Sequence, residues 1–344
     1  MKFSVVLPGL ALAALLALVC LGALAQTPPA LYEGADREAK LIAGAKSEGA
    51  LTIYVSMAEP DVRRLLNAFE KRYGIKTTLF RAGKDQVLQR VINEARAGRN
   101  TVDFIHNPSP EMEALHREKL LQEVRSPALR NVIPAAIPAH REWVGGRMYI
   151  FVQLYNTTKV KPEELPKTFN DLLDPRWKGR LGIEAKEGEW FATLAKEMGE
   201  ERTVKLFRDI SSTNGLMVRN GNSLLKNLVV AGDVPFAVTM YSYLADQAKR
   251  EGAPLNYVAL DPVVAYTDGM AVAKNAPHPN AAVLFYDFIF TEGEQLLTEI
   301  QHVTTSRRNE PMLSKMKLKY MDVPSILDGY DKWDRLYQDV VRGR

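Results

Sequence analysis

The stretch LTIYVSMAEPDVRRLLNAFEKRYG, residues 51–74, contains the two patterns that decide the fold. Its first six residues are rich in β-formers and predict a buried strand. The next part places apolar side chains on one helical face, and Gly74 is typical of the end of a helix. These apolar side chains are Val62, Leu65, Leu66, Phe69 and Tyr73. The stretch therefore predicts a strand followed directly by an amphipathic helix.

The same alternation continues along the chain. Strands are predicted at 75–81 and 101–106, and helices at 84–97 and 110–118. Strands that alternate with helices imply a parallel sheet with right-handed crossovers, in which ligands bind beyond the carboxyl ends of the strands. Three turns then share one rim of the sheet, at 56–59, 81–85 and 106–107.

A second run of alternating strands and helices occupies about residues 180–260. Between the two runs, residues 147–156 form a long extended segment, and residues 263–273 form another. The chain is thus expected to leave a first lobe, build a second and return. The predicted fold is α/β and two-lobed, each lobe a mainly parallel sheet flanked by helices, with two extended strands joining the lobes.

The N-terminus predicts where the protein works. Lys2 is followed by an apolar run from residue 3 to 24, and Ala23 and Ala25 supply the small side chains that signal peptidase needs. We interpret residues 1–25 as a cleaved signal peptide and the mature protein as periplasmic. An uncleaved anchor and a lipid-modified Cys20 are the alternatives.

Composition limits the chemistry of the exported part. Cys20 is the only cysteine of the chain, so the mature protein has neither disulfides nor thiol chemistry. The formal charge of +4 is spread along the chain, which disfavours nucleic acid as a partner. None of the five histidines lies in a His-Glu-x-x-His motif, and nucleophile-elbow and phosphate-loop patterns are missing too. The sequence therefore favours a protein that is not an enzyme.

Two predicted helix starts in the second lobe carry polar side chains. Asn222 and Ser223 follow a strand and begin a helix, where free backbone N–H groups can bind an anion. Ordinary capping explains the same residues equally well. Glu187 and Glu189 flank Gly188 at another helix start, although two glutamates there would repel a free anion.

Four further residues are candidates for the cleft. Tyr241 and Tyr243 end a predicted strand, and residues two apart on a strand face the same side. Asp268 lies on the second extended segment, either as a turn residue or as an acceptor in the cleft. His106 ends a strand of the first lobe, as a ligand or as a packing group.

Several motifs follow one another in a familiar order. They are Ile53-Tyr54, the segment 173–180 (LDPRWKGR), Asn222-Ser223, the segment 230–233 (VAGD), the strand that ends at Tyr241, and the segment 271–279 (AVAKNAPHP). From about residue 48 to 310 the chain resembles the ferric-ion-type periplasmic solute-binding proteins of ABC importers. The resemblance implies the type II periplasmic-binding-protein fold and a cleft that closes over a solute.

The resemblance does not identify the solute. The family pattern for iron has adjacent tyrosines, a histidine in the first strand–helix turn and a carboxylate. Here Tyr241 matches the first tyrosine, Ser242 stands in place of the second, and Ala58 stands at the histidine position beside Glu59. Tyr241, Tyr243 and Glu59 are one predicted ligand set for Fe3+. The alternative is a small organic or phosphorylated anion held by Ser56, Asn222, Ser223 and Tyr241.

The resulting hypothesis is a monomeric periplasmic carrier that delivers its solute to an inner-membrane ABC permease. It has no obligatory cofactor, and Fe3+ enters as cargo. A carrier that feeds a sensory receptor and a secreted hydrolase are the rivals. The predicted division is lobe 1 at 26–149, lobe 2 at 150–264, a return to lobe 1 at 265–320, and a C-terminal helix at 321–344 that packs on lobe 2.

Overall fold

A computed structural model describes residues 27–343, so the predicted signal peptide and Cys20 lie outside the described residues. The strands are β1 (Ala50–Val55), β2 (Lys76–Arg81), β3 (Phe104–Pro108), β4 (Arg147–Asn156), β5 (Leu181–Glu184), β6 (Met217–Arg219), β7 (Phe236–Tyr241), β8 (Leu255–Val258), β9 (Val264–Val272), β10 (Val303–Thr304) and β11 (Lys319–Tyr320). The helices are α1 (Arg37–Glu48), α2 (Glu59–Tyr73), α3 (Lys84–Arg96), α4 (Ser109–Arg117), α5 (Gly188–Met198), α6 (Glu200–Asn214), α7 (Asn222–Ala231), α8 (Ser242–Arg250), α9 (Pro279–Ile289), α10 (Glu292–Glu299), α11 (Glu310–Lys315), α12 (Val323–Asp328) and α13 (Tyr330–Val341).

The first lobe is built on a sheet in the order β2-β1-β3-β9. Strand β1 lies parallel to β2 and to β3, and β9 runs antiparallel to β3. The carboxyl ends of β1, β2 and β3 therefore meet at one rim, as the alternation of strands and helices predicted.

The second lobe is built on β5, which pairs in parallel with β6 and with β7. Strand β4 adds to β7 in the antiparallel direction, and β8 pairs with β4. Each lobe is thus a mainly parallel sheet with antiparallel strands at the junction, and helices cover both.

Two strands belong to both lobes. The first residues of β4 pair with β9, with Tyr149 opposite Tyr266, and its later residues pair with β7. The last residues of β9 pair with β3. These two long strands join the lobes, which confirms the two-lobed fold with two hinge strands. Asp268 and Arg147 face each other where the strands cross.

Aromatic side chains fill both cores. In the first lobe Phe285 of α9 meets Phe69 and Phe104 edge-to-face at 5.0 and 4.9 Å between ring centroids. In the second lobe Phe207 meets Trp190 edge-to-face at 5.6 Å. These buried rings combine a large apolar area with a favourable ring geometry, so they hold the sheets and helices of each lobe together.

The C-terminal helices contact both lobes. Helix α13 packs on α5 and α6, whereas α12 lies against α4 of the first lobe. At this contact Arg117 of α4 pairs with Asp328 at 2.5 Å. Among residues 27–343, none of the helices combines the length and apolar character needed to cross a bilayer.

Candidate functional site

A cavity of about 380 Å³ lies between the two lobes. Its wall is polar, with cations, carboxylates and phenols from both lobes and from the hinge strands. Residues of the wall are Ser56, Arg81, Lys84, Pro108, Pro110, Tyr149, Glu184, Lys186, Glu187, Glu189, Gly221, Asn222, Ser223, Tyr241, Tyr243, Leu244, Tyr266 and Met321.

Four tyrosines form the aromatic part of the cavity wall. Tyr149 and Tyr266 are direct cross-strand partners on β4 and β9, and their rings stack at 4.8 Å. Tyr149 also meets Tyr241 at 5.1 Å and Tyr243 at 5.8 Å. Residues from both hinge strands and from the β7–α8 junction are thereby brought to one place.

Three side-chain oxygen atoms of the cavity wall form a short hydrogen-bonded chain. The Tyr266 hydroxyl donates to the Tyr241 hydroxyl at 3.1 Å, and the Tyr241 hydroxyl donates to Glu187 Oε1 at 3.0 Å. Asn222 Nδ2 also donates to Glu187 Oε1, at 2.9 Å. The Glu187 carboxyl is therefore the centre of a polar cluster that spans the start of α7, the end of β7 and the hinge.

Burial shapes the acidity of this cluster. Burial, together with the nearby Glu184 carboxylate, raises the pKa of Glu187 to about 8. Burial also raises the pKa of Tyr241 and of Tyr266 well above the ordinary value for a phenol. Without a bound cation the three groups therefore retain their protons at neutral pH, which fits the hydrogen-bonded chain.

A buried ion pair supports the floor of the cavity. Arg147 Nη2 donates to the Tyr149 hydroxyl at 2.6 Å, and Arg147 Nε donates to Asp268 Oδ2 at 2.6 Å. His106 Nε2 lies 2.8 Å from the same Asp268 oxygen. Burial alone would raise the pKa of Asp268, but Arg147 and His106 outweigh it and hold that pKa well below its usual range.

A further ion pair crosses the cleft. Lys84, from α3 of the first lobe, lies 2.9 Å from Glu189 of the second lobe and 3.1 Å from Glu111 of its own lobe. Burial would lower the pKa of Lys84, but the two carboxylates raise it well above the ordinary value. Lys84 therefore remains charged and joins the two walls.

Comparison with known families identifies the family of this chain. Residues 109–322 match the family model described as "Bacterial extracellular solute-binding protein". The chain belongs to this family. The match includes 14 of the 18 residues of the cavity wall, all except Ser56, Arg81, Lys84 and Pro108.

Individual relatives of this solute-binding protein are distant in sequence. The Fe(3+)-binding periplasmic protein of Serratia marcescens is 27% identical over 74% of this chain and 77% of its own length. The major ferric iron-binding protein of Neisseria gonorrhoeae is 24% identical over 80% of this chain and 88% of its own length.

Solved structures share its fold. Iron-bound HitA from Pseudomonas aeruginosa superposes with a TM-score of 0.74 at 22% identity, over 85% of this chain and 99% of HitA. AfuA from Actinobacillus pleuropneumoniae, with fructose-6-phosphate bound, gives a TM-score of 0.73 at 21% identity, over 86% of this chain and 99% of AfuA. At these identities the likeness concerns the fold, and it agrees with the predicted type II periplasmic binding fold.

The structure brings six of the nine predicted site residues of this solute-binding protein to the cavity wall. They are Ser56, Glu189, Asn222, Ser223, Tyr241 and Tyr243. The argument for Tyr243 needs correction, because β7 ends at Tyr241 and α8 begins at Ser242. Tyr243 reaches the cavity from the first turn of a helix, where it lies beside the His302 ring at 4.6 Å.

The other three predicted residues lie outside the cavity wall. Glu59 begins α2 with 59% of its side chain exposed, pairs with Arg63 and is not part of the cavity wall. His106 and Asp268 are completely buried and interact with Arg147 beneath the cavity. The structure therefore gives these two residues a supporting position, and it separates Glu59 from the tyrosines with which it was grouped.

Sequence reasoning missed several residues of the wall. Tyr149 and Tyr266 lie inside apolar runs that were interpreted only as crossing strands, and the register that pairs them is a tertiary feature. Glu187 was regarded as a source of repulsion, but its burial keeps it protonated. Arg81 and Lys84 stand in the turn 81–85, whose place at the rim was the signal that could have identified them.

Proposed function

We propose that this solute-binding protein is the periplasmic receptor of an ABC importer and that its cargo is ferric ion. The proposed ligands are the phenolates of Tyr241 and Tyr266 and the carboxylate of Glu187. This set keeps Tyr241 from the sequence prediction. It replaces Glu59 and Tyr243, because their side-chain oxygens are not part of the hydrogen-bonded chain of Tyr266, Tyr241 and Glu187.

The spacing of the three oxygen atoms carries the proposal. Consecutive atoms of the chain lie 3.0 and 3.1 Å apart. Metal–oxygen bonds of about 2 Å put neighbouring ligand atoms about 3 Å apart. A cation can therefore bind with small side-chain movements once the protons of Tyr241, Tyr266 and Glu187 are released to solvent.

Charge supports a cation as the cargo. Two phenolates and one carboxylate supply three negative charges, which would neutralise a trivalent ion, and hard cations prefer such oxygens. Glu184 and Glu189 add carboxylates to the same wall, and Lys84 is already paired with Glu189 and with Glu111. Ferric binding would release the protons that burial retains.

One observation favours a second candidate, a small phosphorylated anion. Arg81 is exposed, its Nε donates to the Met57 carbonyl at 3.1 Å, and its guanidinium forms part of the cavity wall. The N-terminus of α7 opens on the same cavity at Asn222 and Ser223. Such groups bind phosphate oxygens, and the related AfuA structure holds fructose-6-phosphate. In the ferric case these groups would hold an anion that completes the coordination.

The proposal also includes export of the protein to the periplasm and delivery of its cargo to a permease. Relatives named as periplasmic and as iron-binding support a periplasmic location, and the two hinge strands support closure around the cargo. Delivery to an inner-membrane permease by a monomer requires no covalent step, so we propose that the cleft does not catalyse a reaction.

Ferric loading provides the test. The metal-free protein is titrated with ferric citrate, and a tyrosinate-to-iron absorption band in the visible range is expected. Tyr241→Phe should abolish the band, whereas Tyr257→Phe, which lies on β8 outside the cavity wall, should preserve it. If the protein stays colourless with ferric citrate but binds fructose-6-phosphate, and Arg81→Ala loses that binding, the second candidate is the cargo in place of ferric ion. Failure of both would refute both cargoes.

A further inference from the structure

A second group of metal-binding side chains lies apart from the cleft, at the end of α4. Glu113 and His116 stand three residues apart on this helix and so share a face. His140 and Glu142 come from the segment that precedes β4. None of these four residues belongs to the cavity wall between the lobes.

The four side chains are in close contact. His116 Nδ1 lies 2.8 Å from Glu142 Oε2, and the rings of His116 and His140 stack with centroids 3.7 Å apart. Donor atoms of His116, His140 and Glu142 all lie within 4.8 Å of one another. His140 Nε2 lies 3.7 Å from Glu113 Oε2, which is too far for a hydrogen bond.

One ring nitrogen of this cluster has no hydrogen-bond partner among the described residues. It is the buried His140 Nε2. The other oxygen of Glu113 pairs with Arg117 at 3.4 Å, so Oε2 remains directed at His140. Fully paired side chains would be the expected result if the cluster only stabilised the fold.

We infer that His116, His140 and Glu142, with Glu113 beside them, form a binding site for a divalent transition-metal ion, with zinc as the best match. Two neutral imidazoles with one or two carboxylates are a donor set that zinc accepts in tetrahedral geometry. The two carboxylates balance the charge of a divalent ion. Burial and the neighbouring His116 lower the pKa of His140, which keeps its imidazole neutral and able to bind a metal.

Zinc binding requires a structural rearrangement that limits the expected affinity. The backbone N–H of Glu142 donates to His140 Nδ1 at 3.0 Å, which places the ring proton on Nε2. A metal at Nε2 requires the other tautomer, with the ring proton on Nδ1, so the hydrogen bond from the Glu142 N–H is lost. One ring must also tilt out of the stack so that both lone pairs point at the ion. Zinc affinity is therefore expected to be lower than that of a preformed structural zinc site.

Calorimetric titration of the metal-free mature protein with zinc chloride tests the inference. One saturable site is expected, and the double variant His116→Ala/His140→Ala should weaken zinc binding by about tenfold or more. Tyr241→Phe should leave this site unchanged, because the cleft does not contribute to it. Equal zinc affinity in the double variant, or loss of zinc binding in Tyr241→Phe, would overturn the assignment.

A second measurement avoids reliance on the folding of the double variant. In the unsubstituted protein, imidazole ¹⁵N resonances are recorded with and without zinc, and the single variants His116→Gln, His140→Gln and His278→Gln provide the assignments. Zinc should shift the signals of His116 and His140 and leave that of His278 unchanged, because the His278 ring is bonded to Asp103. Unchanged signals from the stacked pair would likewise overturn the assignment.

Discussion

Lys84 of the first lobe and Glu189 of the second are joined by a 2.9 Å ion pair that crosses the cleft. Lys84 has a second partner, Glu111, within its own lobe. Loss of Glu189 would therefore leave Lys84 paired but remove a contact between the lobes. The Lys84–Glu189 pair therefore helps to hold the two lobes together across the cleft.

Glu189→Gln is expected to shift the unliganded protein towards an open form. A charge-assisted hydrogen bond contributes about 1.5–3 kcal/mol, and the lower end applies because Lys84 retains 28% exposure and its bond to Glu111. A change of about 1.4 kcal/mol alters the open-to-closed ratio tenfold. Small-angle X-ray scattering should show a larger radius of gyration for the variant.

Asp85→Asn is the matched control for this prediction. Asp85 also faces the opposite lobe, through Lys186, but the atoms are 3.8 Å apart and the side chains are about 60% exposed. An exposed pair of this kind contributes little. A radius of gyration that is the same for Glu189→Gln, Asp85→Asn and the parent protein would contradict the role of the Lys84–Glu189 pair.

Tyr266→Phe and Tyr243→Phe should differ in their effect on ferric affinity. Tyr266 belongs to the oxygen chain with Tyr241, whereas the Tyr243 ring lies beside His302. Second-shell changes typically weaken metal binding by about 10–100-fold, so loss of a direct ligand should cost at least about 100-fold.

Competition with citrate, followed by visible absorption, measures both affinities. Tyr243→Phe is expected to remain within about tenfold of the parent protein. The reverse order, with Tyr243→Phe the weaker binder, would favour the ligand pair that the sequence suggested and would exclude Tyr266.

Asp268→Asn should destabilise the hinge. Asp268 and Arg147 are both buried, on the two strands that join the lobes, and the substitution would leave the Arg147 charge without its counterion. Breaking a buried pair in this way costs about 3–5 kcal/mol. Urea unfolding of the metal-free protein should show this loss, while Asp261→Asn, an exposed position near the start of β9, should be close to neutral. A loss below about 1 kcal/mol would contradict the importance of the pair.

The sequence predicted the strands that carry the site better than the side chains that line its cavity. The strand at residues 51–56 is found as β1 at Ala50–Val55, and the crossing segments are found as β4 and β9, because periodicity and turn residues are local signals. The Tyr149–Tyr266 contact depends on the register of β4 against β9, which a single chain does not reveal. Glu59 was misplaced because a shared rim fixes the position of a turn but not the direction of each side chain.

Glu187→Gln tests the buried carboxyl at the centre of the cluster. The pKa of Glu187 is raised from 4.5 to about 8 in the folded protein, so the native state binds more protons than the unfolded state between these values. The contribution of this group to stability is therefore complete below about pH 4.5 and is lost as the pH rises towards 8. Glutamine keeps the shape and accepts from the same partners but does not titrate.

The free energy of unfolding is measured with urea for the metal-free parent and variant at about pH 5 and about pH 8. The variant should become more stable relative to the parent as the pH rises, by at most about 1.4 kcal/mol per pH unit. Other titrating groups are common to both proteins and cancel in the difference. A difference that stays constant with pH would mean that Glu187 is already ionised in the folded protein, and its carboxylate would then be available to a cation without the release of a proton.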